Sequence, residues 1–165
     1  MITRVQGQAF ERVYAEHAES LLRFLIFRTG DRVLAEDLLA DTFERVLRTG
    51  RRFDPRKASE KTWLYAIALN SLRDHVRRRS AESRALERTR AGADETGSFD
   101  EHVDARDAVQ RALASLTDEE REAIALRYGA ELTVPEMAKL TKERLTTIEG
   151  RVYRALRKLR GQMEP

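Results

Sequence analysis

The residues whose types and spacing best suit a chemical task are Trp63, Asn70, Arg73 and Arg77. Wound on one helix at about 100° per residue, they share a face opposite the apolar Leu64, Tyr65, Ala68, Leu69, Leu72 and Val76. An aromatic ring stacks on an unpaired base, an amide bonds a base edge, and guanidiniums hold phosphates. A run of arginines, Arg77 to Arg79, closes the stretch. The set suits a nucleic-acid strand that has left its duplex. The same face has a plainer reading: a half-buried tryptophan capping the core beside solvated charges.

Two further sets stand apart from it. Asp37, Asp41 and Glu44 recur at helical spacing on one side of an amphipathic stretch. They read either as a docking stripe for a basic helix or as a solvated face with Asp41–Arg45 and Glu44–Arg48 ion pairs. Near the C-terminus, Thr147, Gly150, Arg151, Arg154, Arg157 and Lys158 share the outer face of a helix. Its other side carries Leu145, Ile148, Val152, Ala155, Leu156 and Leu159. A second helix of this kind, entering a major groove, reads base edges with its N-terminal half and holds phosphates further on. Thr147, Gly150, Arg151 and Arg154 are the expected readers, and Arg157, Lys158 and Arg160 the expected phosphate contacts.

The composition excludes several other chemistries. There is no cysteine among the 165 residues, so disulfides, thiol redox sensing and Cys-ligated zinc are ruled out. His17, His75 and His102 show no metal spacing, and no carboxylate pair with a histidine or glycine-rich phosphate loop occurs. The chain is not expected to be an enzyme, and no metal, cofactor or small-molecule substrate is expected. The longest apolar run, Leu64 to Leu69, is too short to span a bilayer, and the N-terminus has no signal-peptide core. A cytoplasmic protein without membrane insertion follows as the expectation. Net charge is +3, yet acids crowd Glu36–Glu44 and Asp94–Asp107 while bases crowd Arg73–Arg90 and Arg151–Arg160. Such segregation suits one basic partner and one acidic partner.

The elements that must position these residues read as all-α. Met1–Gln8 is a loose leader. Ala9–Arg28 is a first helix stopped by Gly30, and Asp31 opens a second helix running to Thr49 and ended by Gly50. Its buried stripe is Ala35, Leu39, Phe43 and Val46. Phe53–Lys61 is a loop, with a turn at Asp54-Pro55 and Ser59 as the cap of the helix that follows. These three helices form a small bundle ending near Arg79. Ser80–His102 is polar, with bases first and acids after, and reads as a mobile or partly helical linker anchored by Leu86 and Phe99. Helical spacing returns over Val103–Ser115. Capping boxes at Thr117–Glu120 and Thr133–Glu136 open two short helices, and Leu145–Arg160 is the last. The two helices from Thr133 onward read as a helix-turn-helix. The whole is two small helical domains, 1–79 and 103–165, joined by a flexible linker at 80–102.

Taken together the pieces resemble a bacterial RNA polymerase sigma factor of the extracytoplasmic-function type, in the sigma-70 family. AEDLLADTFERVLR (Ala35–Arg48) is similar to that family's polymerase-binding helix. TWLYAIALN (Thr62–Asn70) followed by DHVRRR is similar to its promoter-melting helix. LTVPEMAKLTKERLTTIEGRVYRALRKLR (Leu132–Arg160) is similar to its promoter-reading helix-turn-helix. The resemblance implies that Asp37, Asp41 and Glu44 face the clamp helices of the polymerase largest subunit. It implies that the loop from Phe53 through Lys61 to Thr62 captures a base flipped from the minus-ten element. Trp63, Asn70, Arg73 and Arg77 would serve the same element, and the C-terminal domain would bind the minus-35 element and the polymerase flap. Core polymerase and promoter DNA are the implied partners, with an anti-sigma factor as a further candidate. The competing expectation is a sigma-like mimic that sequesters an anti-sigma factor without touching DNA. The chain departs from the family pattern at Lys142, where a turn glycine is usual, and at Thr141, where an apolar residue is usual. Glu149 replaces a common base and Gly150 a common small hydroxyl residue. An irregular turn, or a late start of the second helix, is expected from these changes.

Overall fold

The computed structural model describes residues 4–49, 53–89 and 111–163. Every regular element among them is helical: α1 (Arg4–Thr29), α2 (Arg32–Thr49), α3 (Glu60–Thr89), α4 (Asp118–Ile124), a π-helical turn (Ala125–Gly129), α5 (Val134–Thr141) and α6 (Leu145–Met163).

Local chemistry sets most of the boundaries. Gly30 adopts φ 69°, a left-handed conformation that glycine takes without Cβ strain, and so ends α1. Asp31 then caps α2, its Oδ1 accepting the Leu34 N–H at 3.1 Å. Ser59 Oγ accepts the Thr62 N–H at 3.1 Å and starts α3. Thr117 and Thr133 each accept the backbone N–H of a glutamate three residues on, which reaches back to the cap N–H. Both expected capping boxes therefore form.

Two elements exceed the expectation. α1 begins at Arg4, inside the stretch expected to be loose, because a nucleated helix extends cheaply through RVQGQ. Met1–Thr3 lie outside the described residues, as does Gly50. α3 runs on past Arg79 to Thr89. Its extension, SAESRALERT, is rich in alanine, glutamate, arginine and leucine, which favour helix even when nothing covers them. Leu86, expected as an anchor, is 62% exposed there. The rest of the linker, with Phe99 and His102, lies outside the described residues, and so do Val103 and Ala108. Helix is present at 111–114, where Ala112 is buried.

α1, α2 and α3 enclose an apolar interior of Val13, Leu21, Phe24, Leu25, Ala35, Leu38, Phe43, Val46, Leu64, Tyr65, Ala68, Leu69 and Leu72. Phe24 meets the Tyr65 ring edge-on at 5.1 Å. The interior does not stop at the bundle. Leu126, Leu132, Met137 and Ile148 from the C-terminal half join the same cluster. α1 packs on the π-helical turn and α3 on α5. At Gly129 the backbones come close: a Cβ there would lie 3.8 Å from the Phe24 Cα.

Candidate nucleic-acid interface

The side of α3 expected to face a strand is only partly free. Trp63 is half-buried, packed on the edge of the core, with its ring 5.2 Å from Phe53 and inclined by 44°. It is thus both a core-capping and a surface aromatic, which merges the two readings of the sequence. The loop before it is held by Asp54, which accepts N–H groups from Arg56 and Lys57 at 3.0 Å each. Lys61 is half-buried and Asn70 is exposed. The Asn70 amide makes no hydrogen bond among the described residues. Arg73 donates to Glu122 of α4 at 2.8 Å, and Arg77 to Asp74 on its own helix.

On α2, Asp37 and Glu44 are exposed and Asp41 is half-buried. Glu44 pairs with Arg48 as expected. The expected Asp41–Arg45 pair does not form. Arg45 instead reaches across to Asp74 of α3 at 3.3 Å, so Asp37 and Asp41 remain without an ion pair among the described residues. Beside them the stripe differs by one turn position: Leu38 and Thr42 are fully buried, while Leu39 is only partly so. Thr42 tolerates burial by donating its hydroxyl to the Leu38 carbonyl at 2.6 Å.

The helix-turn-helix closes through Lys142, which takes φ 60° and ψ 34° and donates its N–H to the Ala138 carbonyl. The turn is therefore the ordinary left-handed one, made by a lysine, and α6 starts at Leu145 without delay. That corrects the expectation of an irregular turn or late helix. Thr147, Arg154 and Arg157 are exposed and Gly150 is half-buried. Any Cβ at Gly150 would sit 3.3 Å from an Arg154 guanidinium nitrogen. Arg151 is held in a two-point fork by Glu143, one arm at 2.7 Å. Lys158 donates to Glu120 at 2.7 Å. Glu120 is 5% exposed and doubles as the α4 capping-box acid.

The electrostatics follow these pairings. Arg151 holds the Glu143 carboxyl below its ordinary range, and Glu143 in turn raises Arg151. Lys158 does the same to Glu120. Arg73 also acts on Glu143, and Glu119 and Glu122 act on Arg151. The arginines assigned to two different DNA elements thus converge on one acidic edge of the C-terminal half. Sequence reasoning missed Asp74, Glu122 and Glu143 as their partners. Asp74 lies three residues before Arg77 on the same helix, a spacing open to the sequence, whereas Glu122 and Glu143 stand at no helical spacing from Arg73 and Arg151, so only the packing could reveal those two.

Val76, Leu145 and Leu156 were expected inside. Val76 is 53% exposed because α3 there has outrun the bundle, and Leu145 and Leu156 lie outside the contact that α6 makes through Ile148 and Ala155. Among the described residues one group of potential metal ligands comes together, Glu16, His17 and Glu60. Arg12 already occupies it, bonding both Glu60 oxygens at 3.0 and 2.6 Å and Glu16 at 3.1 Å. Arg12 lowers the Glu60 carboxyl, and the group works as an ion-pair tie between α1 and α3. No described helix is long and apolar enough to cross a membrane.

Known proteins share this arrangement. The family description Sigma-70 region 2 matches residues 13–82, and Sigma-70 region 4 matches residues 106–159. The ECF RNA polymerase sigma factor SigK of Mycobacterium tuberculosis H37Rv is 30% identical, over 99% of this chain and 92% of its own. SigX of Bacillus subtilis is 29% identical, over 95% of this chain and 84% of its own. BldN of Streptomyces coelicolor is 29% identical over 93% of this chain, which spans 60% of BldN. Among solved structures, CnrH in complex with the cytosolic domain of CnrY superposes with a TM-score of 0.70 at 26% identity, covering 96% of this chain and 89% of that one. The sigma factor RpoE bound to the anti-sigma factor NepR, from Bartonella quintana, has the same fold, with a TM-score of 0.78 at 23% identity over 95% and 98% of the two chains. With both sigma-70 regions in order on one all-helical chain, this protein belongs to the ECF RNA polymerase sigma factors, the alternative sigma factors that direct RNA polymerase to promoters.

Proposed function

We propose that the N-terminal bundle, residues 1–79, binds core polymerase and opens the minus-ten element, while residues 103–165 read the minus-35 element, with 80–102 as the tether. The observation that carries this reading is the division of the bundle surface. Among the described residues Asp37 and Asp41 make no ion pair on α2, and Asn70, whose amide makes no hydrogen bond there, shares α3 with Trp63, whose ring meets Phe53 of the preceding loop. The first surface offers uncompensated negative charge to a basic helix. The second offers a ring and an amide to an unstacked base. In this assignment Asp37, Asp41 and Glu44 meet the clamp helices of the largest subunit. Phe53, Lys61 and Trp63 line the base-capturing loop, and Asn70, Arg73 and Arg77 follow the melted strand. Thr147, Gly150, Arg151 and Arg154 face base edges of the duplex, with Arg157 and Lys158 on phosphates. The C-terminal domain also meets the polymerase flap.

The chain does this work in the cytoplasm and carries no catalytic group of its own; bond formation belongs to the polymerase. Arg73, Arg77, Arg151 and Lys158 are each engaged by a carboxylate of the same chain. DNA phosphates would displace those carboxylates; of the four, only Glu122 lies in the other half from its partner, so freeing Arg73 for DNA favours separation of the halves. RpoE was solved with an anti-sigma factor. A partner of that class is proposed here as well, acting on the closed arrangement. The test is run-off transcription by core polymerase with and without this chain, on a library of genomic fragments. Promoter-specific transcripts that depend on the chain are the expected result. Their absence, with an anti-sigma factor still bound, would favour the sequestering mimic instead.

A further inference from the structure

Trp63, Asn70 and Arg77 stand seven residues apart on α3, and Arg84 is the next in that series. Seven residues are nearly two turns, so each step rises about 10.5 Å and drifts only about 20° around the helix. The linker expected at 80–102 would leave Arg84 without a fixed relation to the other three. Unbroken helix from Glu60 to Thr89 supplies one. Arg84 falls on the line that Trp63, Asn70 and Arg77 draw, with Arg73 on the same side.

α3 packs on α2 and α5, yet every residue from Ala81 to Leu86 is exposed. Burial therefore does not decide which way this stretch faces; the phase of the helix does. At about 100° per residue, Arg84 lies within about 40° of Asn70, whereas Glu82 lies about 120° away. A guanidinium on a rigid helix also differs from one on a tether. Its backbone is already held about 21 Å from Asn70, fourteen residues along, so less freedom is lost on contact. DNA rises about 3.4 Å per base pair, which places Arg84 about six pairs from Asn70. The C-terminus of α3 leads to the half assigned to the minus-35 element. Those six pairs therefore run upstream, from the melted strand into duplex.

We propose that Arg84 holds a backbone phosphate of the duplex, about six base pairs upstream of the base that meets Asn70. The DNA-facing side of α3 then continues through a stretch expected to be tether. The proposal rests on the assignment of α3 to the minus-ten element. Its contact carries no sequence information; it fixes the register of the bundle on the DNA while Trp63 and Asn70 meet the open strand.

Arg84→Gln, which keeps helix propensity, tests this in holoenzyme on a promoter recovered from the genomic-fragment transcripts. Filter binding across a salt series should show affinity at least about threefold weaker and a salt slope smaller by about one. Exchanging the neighbours, Ser83→Arg with Arg84→Ser, keeps composition and net charge but turns the guanidinium by about 100°, and should show the same loss. Methylphosphonate substitution, one phosphate at a time, locates the contact. A neutral phosphate about six base pairs upstream should weaken wild-type binding and leave Arg84→Gln holoenzyme unaffected. Full binding by the exchange variant would overturn the proposal, because net charge alone would then suffice. An unchanged salt slope in Arg84→Gln would overturn it, as would equal sensitivity of both proteins to every neutral phosphate. Weakened co-purification of Arg84→Gln with core polymerase would make this a protein contact, and would also overturn it. Wild-type holoenzyme that bound and opened no promoter would refute the assignment of α3 itself, and the proposal with it.

Discussion

Replacing Lys142 by glycine should make this protein more stable without changing what it reads. Lys142 holds φ 60° and ψ 34° at the helix-turn-helix turn. In that region the Cβ of an L-residue crowds its own backbone, at about 1–2 kcal/mol. Glycine removes the crowding but loses about 0.5–1 kcal/mol through its freer unfolded chain. The Lys142 side chain is exposed and makes no ion pair among the described residues, so little else is lost. The net gain is about 0.5–1 kcal/mol, or about 1–4 °C in Tm for a chain of this length. Lys142→Ala is the control, since alanine keeps the Cβ and should gain nothing. Differential scanning calorimetry of the three proteins gives the ranking, and filter binding to duplex promoter checks that recognition is unchanged. If glycine and alanine melted alike, the strain argument would fail. If glycine weakened duplex binding, the lysine would be a contact and not merely a bend.

The other expectations concern the interface. Asp37→Lys with Asp41→Lys should abolish co-purification with core polymerase while moving stability by no more than about 0.5 kcal/mol, because neither carboxylate has a partner to lose. Asn70→Ala should leave recruitment to the upstream duplex intact and reduce permanganate reactivity of the bubble, whereas Arg151→Ala should weaken recruitment first. Trp63→Ala, at a half-buried site, should cost about 2 kcal/mol, below the 3–5 of a fully buried aromatic, and still block opening. The Glu120 and Glu143 carboxyls are depressed by Lys158 and Arg151. Their folded values lie below the unfolded one, so they stabilise the fold above about pH 4.3 and that stability is lost as pH falls further. Lys158→Met should flatten this acid limb in a pH series of urea midpoints; an unchanged limb would mean that the pair carries none of it.

The sequence was most legible where cause and effect sit within one helical turn. Both capping boxes, the Ser59 and Asp31 caps and the Gly30 stop depend on residues a few positions apart, and all formed. Legibility fell where an element's polarity was taken for its conformation. Residues 80–89 are polar and helical at once, since exposure governs the first and backbone propensity the second. It failed for contacts made through space. Arg45 had an acid at Asp41, one turn back on its own helix, yet bonds Asp74 on another. Arg151 and Glu143 are paired across the boundary of a helix start, a spacing no periodic rule selects. The proposed DNA-facing residues were singled out by type and face, but the bonds of Arg73 to Glu122, Arg151 to Glu143 and Lys158 to Glu120 came only from the packing.

The apolar cluster shared by the two halves makes them one cooperative body. Phe24 and Tyr65 on one side and Leu126, Leu132 and Met137 on the other leave water together. A single calorimetric transition is the consequence, even though a tether joins the parts. A second consequence bears on every partner that needs the halves apart. Its apparent dissociation constant equals its intrinsic one divided by the fraction of molecules already open. Each 1.4 kcal/mol by which the shared interior favours closure therefore dilutes the competent population about tenfold. Half-maximal promoter output would then need a higher polymerase concentration in this chain than in a relative whose halves ignore one another. Residues that never meet DNA, Leu126 and Leu132 among them, set the threshold at which transcription begins.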